Sequence, residues 1–247
     1  MGKRIPDKSG IKQRFHNQKY QITTYEDSDF FIRTDNWKQD TVLIKDVFIQ
    51  DVYKLKELKE LIPIKVVVDV GGHIGTFGRL AKKLIPDCQV FAYECCPENF
   101  GPLRKNSEPH GIVTHKSAVT YEKNVCLFNA VFPDCVTTGG STLCQPDDLK
   151  QIDKTQYWAD SRPIETRTLE QVFEENGITQ IDVLKLDCEG SEFSILENTS
   201  SLDRIKSIIG EWHDRARFTK LVESRFSDWK FRILQDGQLG IFWLLNE

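Results

Sequence analysis

A chain of 247 residues with 39% hydrophobic and 28% charged residues is long enough to bury one large core, and no apolar run approaches the roughly eighteen residues that cross a bilayer. The formal net charge of −4 argues against an enzyme built around a broad phosphate-binding surface. Seven scattered cysteines without a CxxC pair, and no apolar leader behind Met1-Gly2-Lys3-Arg4, point to a reducing, cytoplasmic setting and to no structural zinc.

Residues 1–60 are expected to pack on the core as a mixed extension, with a main domain over 61–247. The first twenty or so residues read as a solvated basic arm, six basic residues between Lys3 and Lys19 facing the one acid Asp7. Asp51 to Leu61 reads as helical. The continuously apolar, β-branched run from Lys65 to Val70 ends in glycines and predicts a central parallel strand. A helix over Thr76–Leu84, a strand over Gln89–Glu94, a helix from Pro97 to about Asn106 and a strand over Gly111–His115 follow.

After a strand over Asn124–Phe128, residues 129–161 have weak periodicity and contain Pro133, Gly139, Gly140 and Pro146, as a lid or substrate loop would. A helix over Leu169–Asn176, strands over Ile181–Asp187 and Ile205–Trp212, and two strands flanking Asp236-Gly237, Trp229–Leu234 and Leu239–Leu244, complete the chain. The alternation predicts an α/β, doubly wound, Rossmann-like sheet, mostly parallel with an antiparallel C-terminal hairpin strand. Ligands of such sheets bind at the carboxyl ends of the strands, near the switch in strand order.

The loop Asp69-Val70-Gly71-Gly72-His73-Ile74-Gly75-Thr76 therefore comes first. Its glycines permit a tight turn and close approach to a ligand, but the dinucleotide pattern G-x-G-x-x-G fails at its second glycine, which argues against a dehydrogenase. Asp69 either faces a cationic amino-acid ligand or ties the loop down. Glu94 ends the next strand, 25 residues on, where a carboxylate can accept both ribose hydroxyls of an adenosine.

These motifs, with Asp187-Cys188-Glu189-Gly190-Ser191-Glu192, resemble those of FkbM-type methyltransferases, which carry D-V-G-A-N-I-G and later D-x-E-G-x-E. Glu94, Pro97 and Asn99, the pair Ala118-Val119, and Thr168-Leu169 before Ile181-Asp182 are similar too, so the resemblance spans about Thr41 to His213. Gly72 and His73 depart from the family's Ala and Asn. The resemblance implies a class I methyltransferase sheet that binds S-adenosyl-L-methionine and releases S-adenosyl-L-homocysteine. It assigns the cofactor to Asp69, Gly71, Gly72, His73, Gly75, Thr76, Glu94, Cys95, Ala118 and Asp187. Cys95 and Cys96 are read as unreactive filler beside the adenosine.

The implied reaction is O-methylation of a sugar, glycan or glycosylated small molecule, with a polyketide or peptide natural product as the alternative acceptor. An RNA methyltransferase and a non-catalytic adenosyl-binding module are the remaining alternatives; the acidic balance argues against the first, the set Asp187, Glu189, Glu211 and His213 against the second. A hydroxyl acceptor needs a base. His213 is favoured, oriented by Glu211 two residues earlier on the same strand face, with Asp187 and Glu189 close to the acceptor and Glu192 structural. Binding of a divalent metal by Asp187, Glu211 and His213 is the less favoured reading. Tyr157, Trp158 and Trp212 are candidates for stacking on a pyranose, and Thr137 to Thr142 for lining the acceptor cleft.

Overall fold

The computed structural model describes residues 20–132, 135–136, 142–147, 157–160 and 163–246. The basic arm from Lys3 to Lys19 lies outside them. β1 (Tyr20–Tyr25) and β2 (Ser28–Arg33) pair as an antiparallel hairpin. α1 (Trp37–Leu43) continues into a π-helical turn (Ile44–Ile49), and α2 (Leu55–Leu61) follows. The helical stretch begins at Leu55 rather than Asp51, because the Asp51 carboxylate accepts the backbone N–H groups of Leu55 and Lys56, both at 2.8 Å, and so sits outside the helix it caps.

β3 (Val66–Val70), α3 (Thr76–Leu84), β4 (Gln89–Tyr93), α4 (Pro97–Ser107) and β5 (Val113–His115) lie within two residues of their expected bounds. β6 (Ala118–Val119) leads to β7 (Cys126–Phe132), which overlaps the strand expected over Asn124–Phe128 and runs on into the stretch expected to lack clear elements, where it pairs antiparallel with β8 (Cys135–Val136), β9 (Thr142–Cys144) and β10 (Tyr157–Asp160). Strands of two to four residues are too short for alternation to show. β11 (Thr166–Arg167) returns to pair in parallel with β6.

α5 (Leu169–Glu175) opens on a capping box between Thr168 and Gln171. β12 (Val183–Leu186), α6 (Ser191–Asn198), β13 (Ser207–Trp212), α7 (Arg215–Arg225), β14 (Lys230–Gln235) and β15 (Gly240–Leu245) finish the chain. The main sheet runs in the order β14-β15-β13-β12-β3-β4-β5, parallel from β13 to β5, with β15 antiparallel to both neighbours. This is the expected Rossmann-like sheet. From β3 the chain moves outward to β5, then returns to β12 on the other side, so the switch in strand order lies between β3 and β12.

Because successive strand residues point to opposite faces, each central strand feeds two cores. Val67, Val183, Ile209 and Trp243 join one apolar cluster, while Val68, Leu184, Ile208 and Leu244 join the other. The first cluster also takes in Phe30, Ile32, Phe48, Tyr53 and Leu55, so residues from β2 to α2 share a core with the sheet.

Close strand approach makes one glycine critical. A Cβ at Gly210 of β13 would stand 2.0 Å from the carbonyl oxygen of Leu186, a backbone atom held in the β12–β13 ladder. Gly210→Ala should therefore destabilise the fold by about 3 kcal/mol, at the upper end of overpacking costs. The urea midpoint measures it, and an unchanged midpoint would show that the ladder yields.

Candidate active site

A cavity of about 280 Å³ opens at the carboxyl ends of β3, β4 and β12, where the strand order predicts it. Val70, Gly71 and His73 line it after β3, Tyr93, Glu94 and Cys95 after β4, Ser117, Ala118 and Val119 around β6, and Asp187, Cys188 and Glu189 after β12. Glu211, Ser191, Leu143, Asn99, Gln39 and Leu43 complete the wall. Gly71 has a φ of +78°, and a Cβ there would stand 1.8 Å from the carbonyl oxygen of Asp187. Only glycine lets the two loops touch.

Beneath this contact lies Lys185, buried within β12. Its Nζ is 3.1 Å from Asp69 Oδ1 and donates to the carbonyls of Gly71 at 2.8 Å and Val70 at 3.3 Å. Burial alone would lower the ammonium's pKa, but Asp69 and Asp187 raise it above the ordinary value. Asp69, wholly buried, pairs with Lys185 beneath the loop and does not line the cavity. Gly72, Gly75 and Thr76 do not line the cavity either. Gly71 and Gly72 donate their N–H groups to the Tyr93 carbonyl at 3.0 and 2.9 Å, and Gly75 and Thr76 open α3.

Glu94 accepts the backbone N–H of His73 at 2.9 Å on one oxygen and that of Cys96 at 2.7 Å on the other. Burial outweighs these bonds and pushes the carboxyl up to about 7. His73 occupies a left-handed conformation, φ +47°, and its Nε2 stands 3.2 Å from Nη2 of Arg33. A guanidinium only donates, so Nε2 is the acceptor and the proton sits on Nδ1. Burial, with the charges of Arg33 and Lys185, keeps this imidazole neutral, well below its ordinary pKa. Arg33, itself buried, is ion-paired with Asp40 and donates to Asn99 Oδ1 at 2.6 Å. Burial pushes the Cys95 thiol up too, which fits a filler role.

At the other pole, ligand atoms of Asp187, Glu211 and His213 lie within 4.8 Å of one another; the i, i+2 spacing puts Glu211 and His213 on one side, and the parallel pairing of β12 and β13 brings Asp187 beside them. The carboxylate that holds the imidazole is nevertheless Glu192, buried at 0% exposure, whose Oε1 is 2.9 Å from His213 Nδ1. Glu189 approaches Nε2 at 3.4 Å. Although burial alone would lower the imidazole, the hydrogen bond and charge of Glu192, with Glu189 and Asp187, push it up to about 9. His213 is therefore a cation at neutral pH, and a metal there would first have to displace its proton. Burial, with the Asp187 charge, pushes both Glu189 and Glu211 up to about 7 against the opposing charge of His213.

Sequence reasoning missed the contributions of Tyr53, Gln39, Leu43 and Lys185. A lysine in the apolar run Val183-Leu184-Lys185-Leu186 was a legible signal; the others had none. Trp212 is 1% exposed and stacks with Phe218 and Phe242 at 5.4 and 6.3 Å between ring centroids, so it is unavailable to an acceptor. Thr137 to Ser141, and the side chains of Tyr157 and Trp158, lie outside the described residues.

Replacing Glu192 by Gln removes the charge that sustains the imidazolium, so the His213 titration midpoint should fall from about 9 by about one unit or more. Ring-proton NMR reads this directly, and an unmoved midpoint would refute the pairing.

The profile of the methyltransferase FkbM domain matches residues 69–233, more than half of the chain. The 31-O-demethyl-FK506 methyltransferase FkbM of Streptomyces tacrolimicus is 31% identical over 198 residues, 70% of this chain and 74% of that protein. Methyltransferase 1 of Beauveria bassiana is 25% identical over 185 residues, 69% of this chain and 72% of that protein. The AMB antimetabolite synthetase AmbE of Pseudomonas aeruginosa is 24% identical over 208 residues, 73% of this chain but 10% of that much longer protein.

Proposed function

The chain belongs to the FkbM methyltransferase family, and from that premise we propose that it transfers the methyl group of S-adenosylmethionine to a hydroxyl oxygen of a small-molecule acceptor. The cavity fits such a cofactor. Glu94 supplies a carboxylate suited to the ribose hydroxyls, and Ala118, Val119 and Leu143 supply apolar wall for an adenine. The glycine contact between Gly71 and Asp187 brings the ends of β3 and β12 together at the switch point, where both residues line the cavity. When bound, the cofactor supplies a methyl group already activated on a sulfonium, so the chain's own work is positioning and proton removal.

Glu211 carries the proposal. It lines the cavity next to Asp187, burial pushes it up to about 7, and no hydrogen bond engages its side chain among the described residues. A carboxylate poised near neutrality suits removal of a hydroxyl proton. His213, favoured from the sequence, lacks the lone pair for that task while it is protonated between Glu192 and Glu189. Its charge instead steadies the carboxylates. Asp187 presents a second carboxylate to the reacting centre, and Glu189 is partly neutralised by the imidazolium.

Of the two acceptor classes that the family resemblance implied, the natural product is the better supported. The S. tacrolimicus relative is named for methylation of 31-O-demethyl-FK506, an oxygen acceptor. Trp212, a candidate for stacking on a sugar, is buried at 1% exposure.

Calorimetric titration with S-adenosylmethionine and S-adenosylhomocysteine, followed by a labelled-methyl screen of hydroxylated natural products and glycans, tests the reading. Failure to bind either compound would sink it. With an acceptor in hand, kcat/KM should rise with pH through about 7 as Glu211 ionises, then fall above about 9 as His213 loses its proton. Glu211→Gln should lower kcat about 100-fold or more. A rate that keeps climbing through pH 9 would return the role of base to His213.

A further inference from the structure

Tyr53 lies before the family-matched residues and outside every motif, yet it is 3% exposed with its phenol directed at the catalytic pole. Its hydroxyl donates to Asp187 Oδ2 at 2.7 Å. The ring meets Phe77 of α3 edge-on at 5.7 Å, and its backbone carbonyl accepts the indole N–H of Trp243 at 2.7 Å. The helix after the glycine loop and the C-terminal strand thus grip it from two sides. Phenylalanine would fill the same apolar space without burying a hydroxyl, a cost that only a partner such as a carboxylate offsets.

What the phenol opposes is Lys185. The ammonium stands 3.8 Å from the same Oδ2, already bound to Asp69 and to the carbonyls of Val70 and Gly71. Without a competing donor, Asp187 is free to rotate onto the ammonium and withdraw from the cavity it lines. The phenol holds Oδ2 in place, and Oδ1 has no partner among the described residues. Burial and the charges of Asp187, Glu211 and Asp69 raise the Tyr53 pKa well above that of an ordinary phenol, so it stays a donor.

We propose that Tyr53 is a positioning residue that holds the Asp187 carboxylate toward the sulfonium, and that the segment before the family-matched residues thereby contributes to the reaction geometry. This rests on the reading of the cavity as an S-adenosylmethionine site. A carboxylate facing a sulfonium favours S-adenosylmethionine over the neutral thioether S-adenosylhomocysteine, which gives a readout that needs no acceptor.

The test is a double-mutant cycle of parent, Tyr53→Phe, Asp187→Asn and the double variant, each titrated with both compounds by calorimetry and checked by thermal melting. Tyr53→Phe should weaken S-adenosylmethionine relative to S-adenosylhomocysteine by about fivefold or more, and by less than about twofold once Asp187 is Asn. A merely structural tyrosine would lower the melting temperature and leave the ratio unchanged, which overturns the proposal. Equal effects in both backgrounds overturn it as well, by showing that Tyr53 does not act through Asp187. A parent protein that binds neither compound removes the cofactor reading and this proposal together, whereas normal binding with an insensitive ratio removes only the role of Tyr53.

Discussion

The site is organised around one buried ammonium. Lys185 stands in a strand covered on both faces, where an unpaired charge is worth several kcal/mol of destabilisation, and it reaches Asp69 and the carbonyls of Val70 and Gly71 across the switch in strand order. Replacing such a pair by apolar residues is often neutral for stability, so its value lies in placement. It draws the end of β3 against the end of β12, where Gly71 has no side chain to collide with the Asp187 backbone. The cavity floor exists because these two strand ends are held this close.

Around that floor, carboxylates outnumber the cations that face them. Asp187, Glu189, Glu192 and Glu211 gather near one imidazole, with Lys185 already engaged by Asp69. The surplus is shared unequally. Glu192, wholly buried, takes His213 and, through its other oxygen, the N–H of Gly190 at 2.8 Å. Glu189 and Glu211 sit near neutrality because burial penalises charges that no partner fully compensates. Proton affinity is thereby divided, with a cation fixed at His213 and a carboxylate able to take a proton within reach of the same centre.

The segment ahead of the family-matched residues stabilises the other pole. His73 holds a left-handed backbone that bulky residues seldom adopt, at a position where the family pattern has Asn, a residue that tolerates it more readily. Here the ring is anchored from outside the loop by Arg33, whose guanidinium also binds Asp40 and Asn99. Asn106 of α4 adds a second tie, accepting from Phe31 N–H at 2.7 Å and donating to the carbonyls of Phe31 and Ile74 at 3.0 and 2.8 Å. The departure in the loop and the arginine in the hairpin are physically one feature.

The sequence alone determined the sheet class, most strand and helix bounds from β3 onward, the glycine loop and the pairing of Glu211 with His213 on one side of the chain. Each of these is local. Apolar runs, turn residues and an i, i+2 spacing act over a few bonds, and the alternation of strands and helices admits few topologies. The short strands from β8 to β10 escaped because two to four residues carry no period, and Asp51 was read into the helix that it caps. Only the tertiary structure decided that Asp69 answers to Lys185, that Glu192 rather than Glu211 holds His213, and that Tyr53 reaches Asp187 across 134 residues of chain. Charge state follows from which groups share a buried volume, and that is set by packing between distant segments, which no local pattern records.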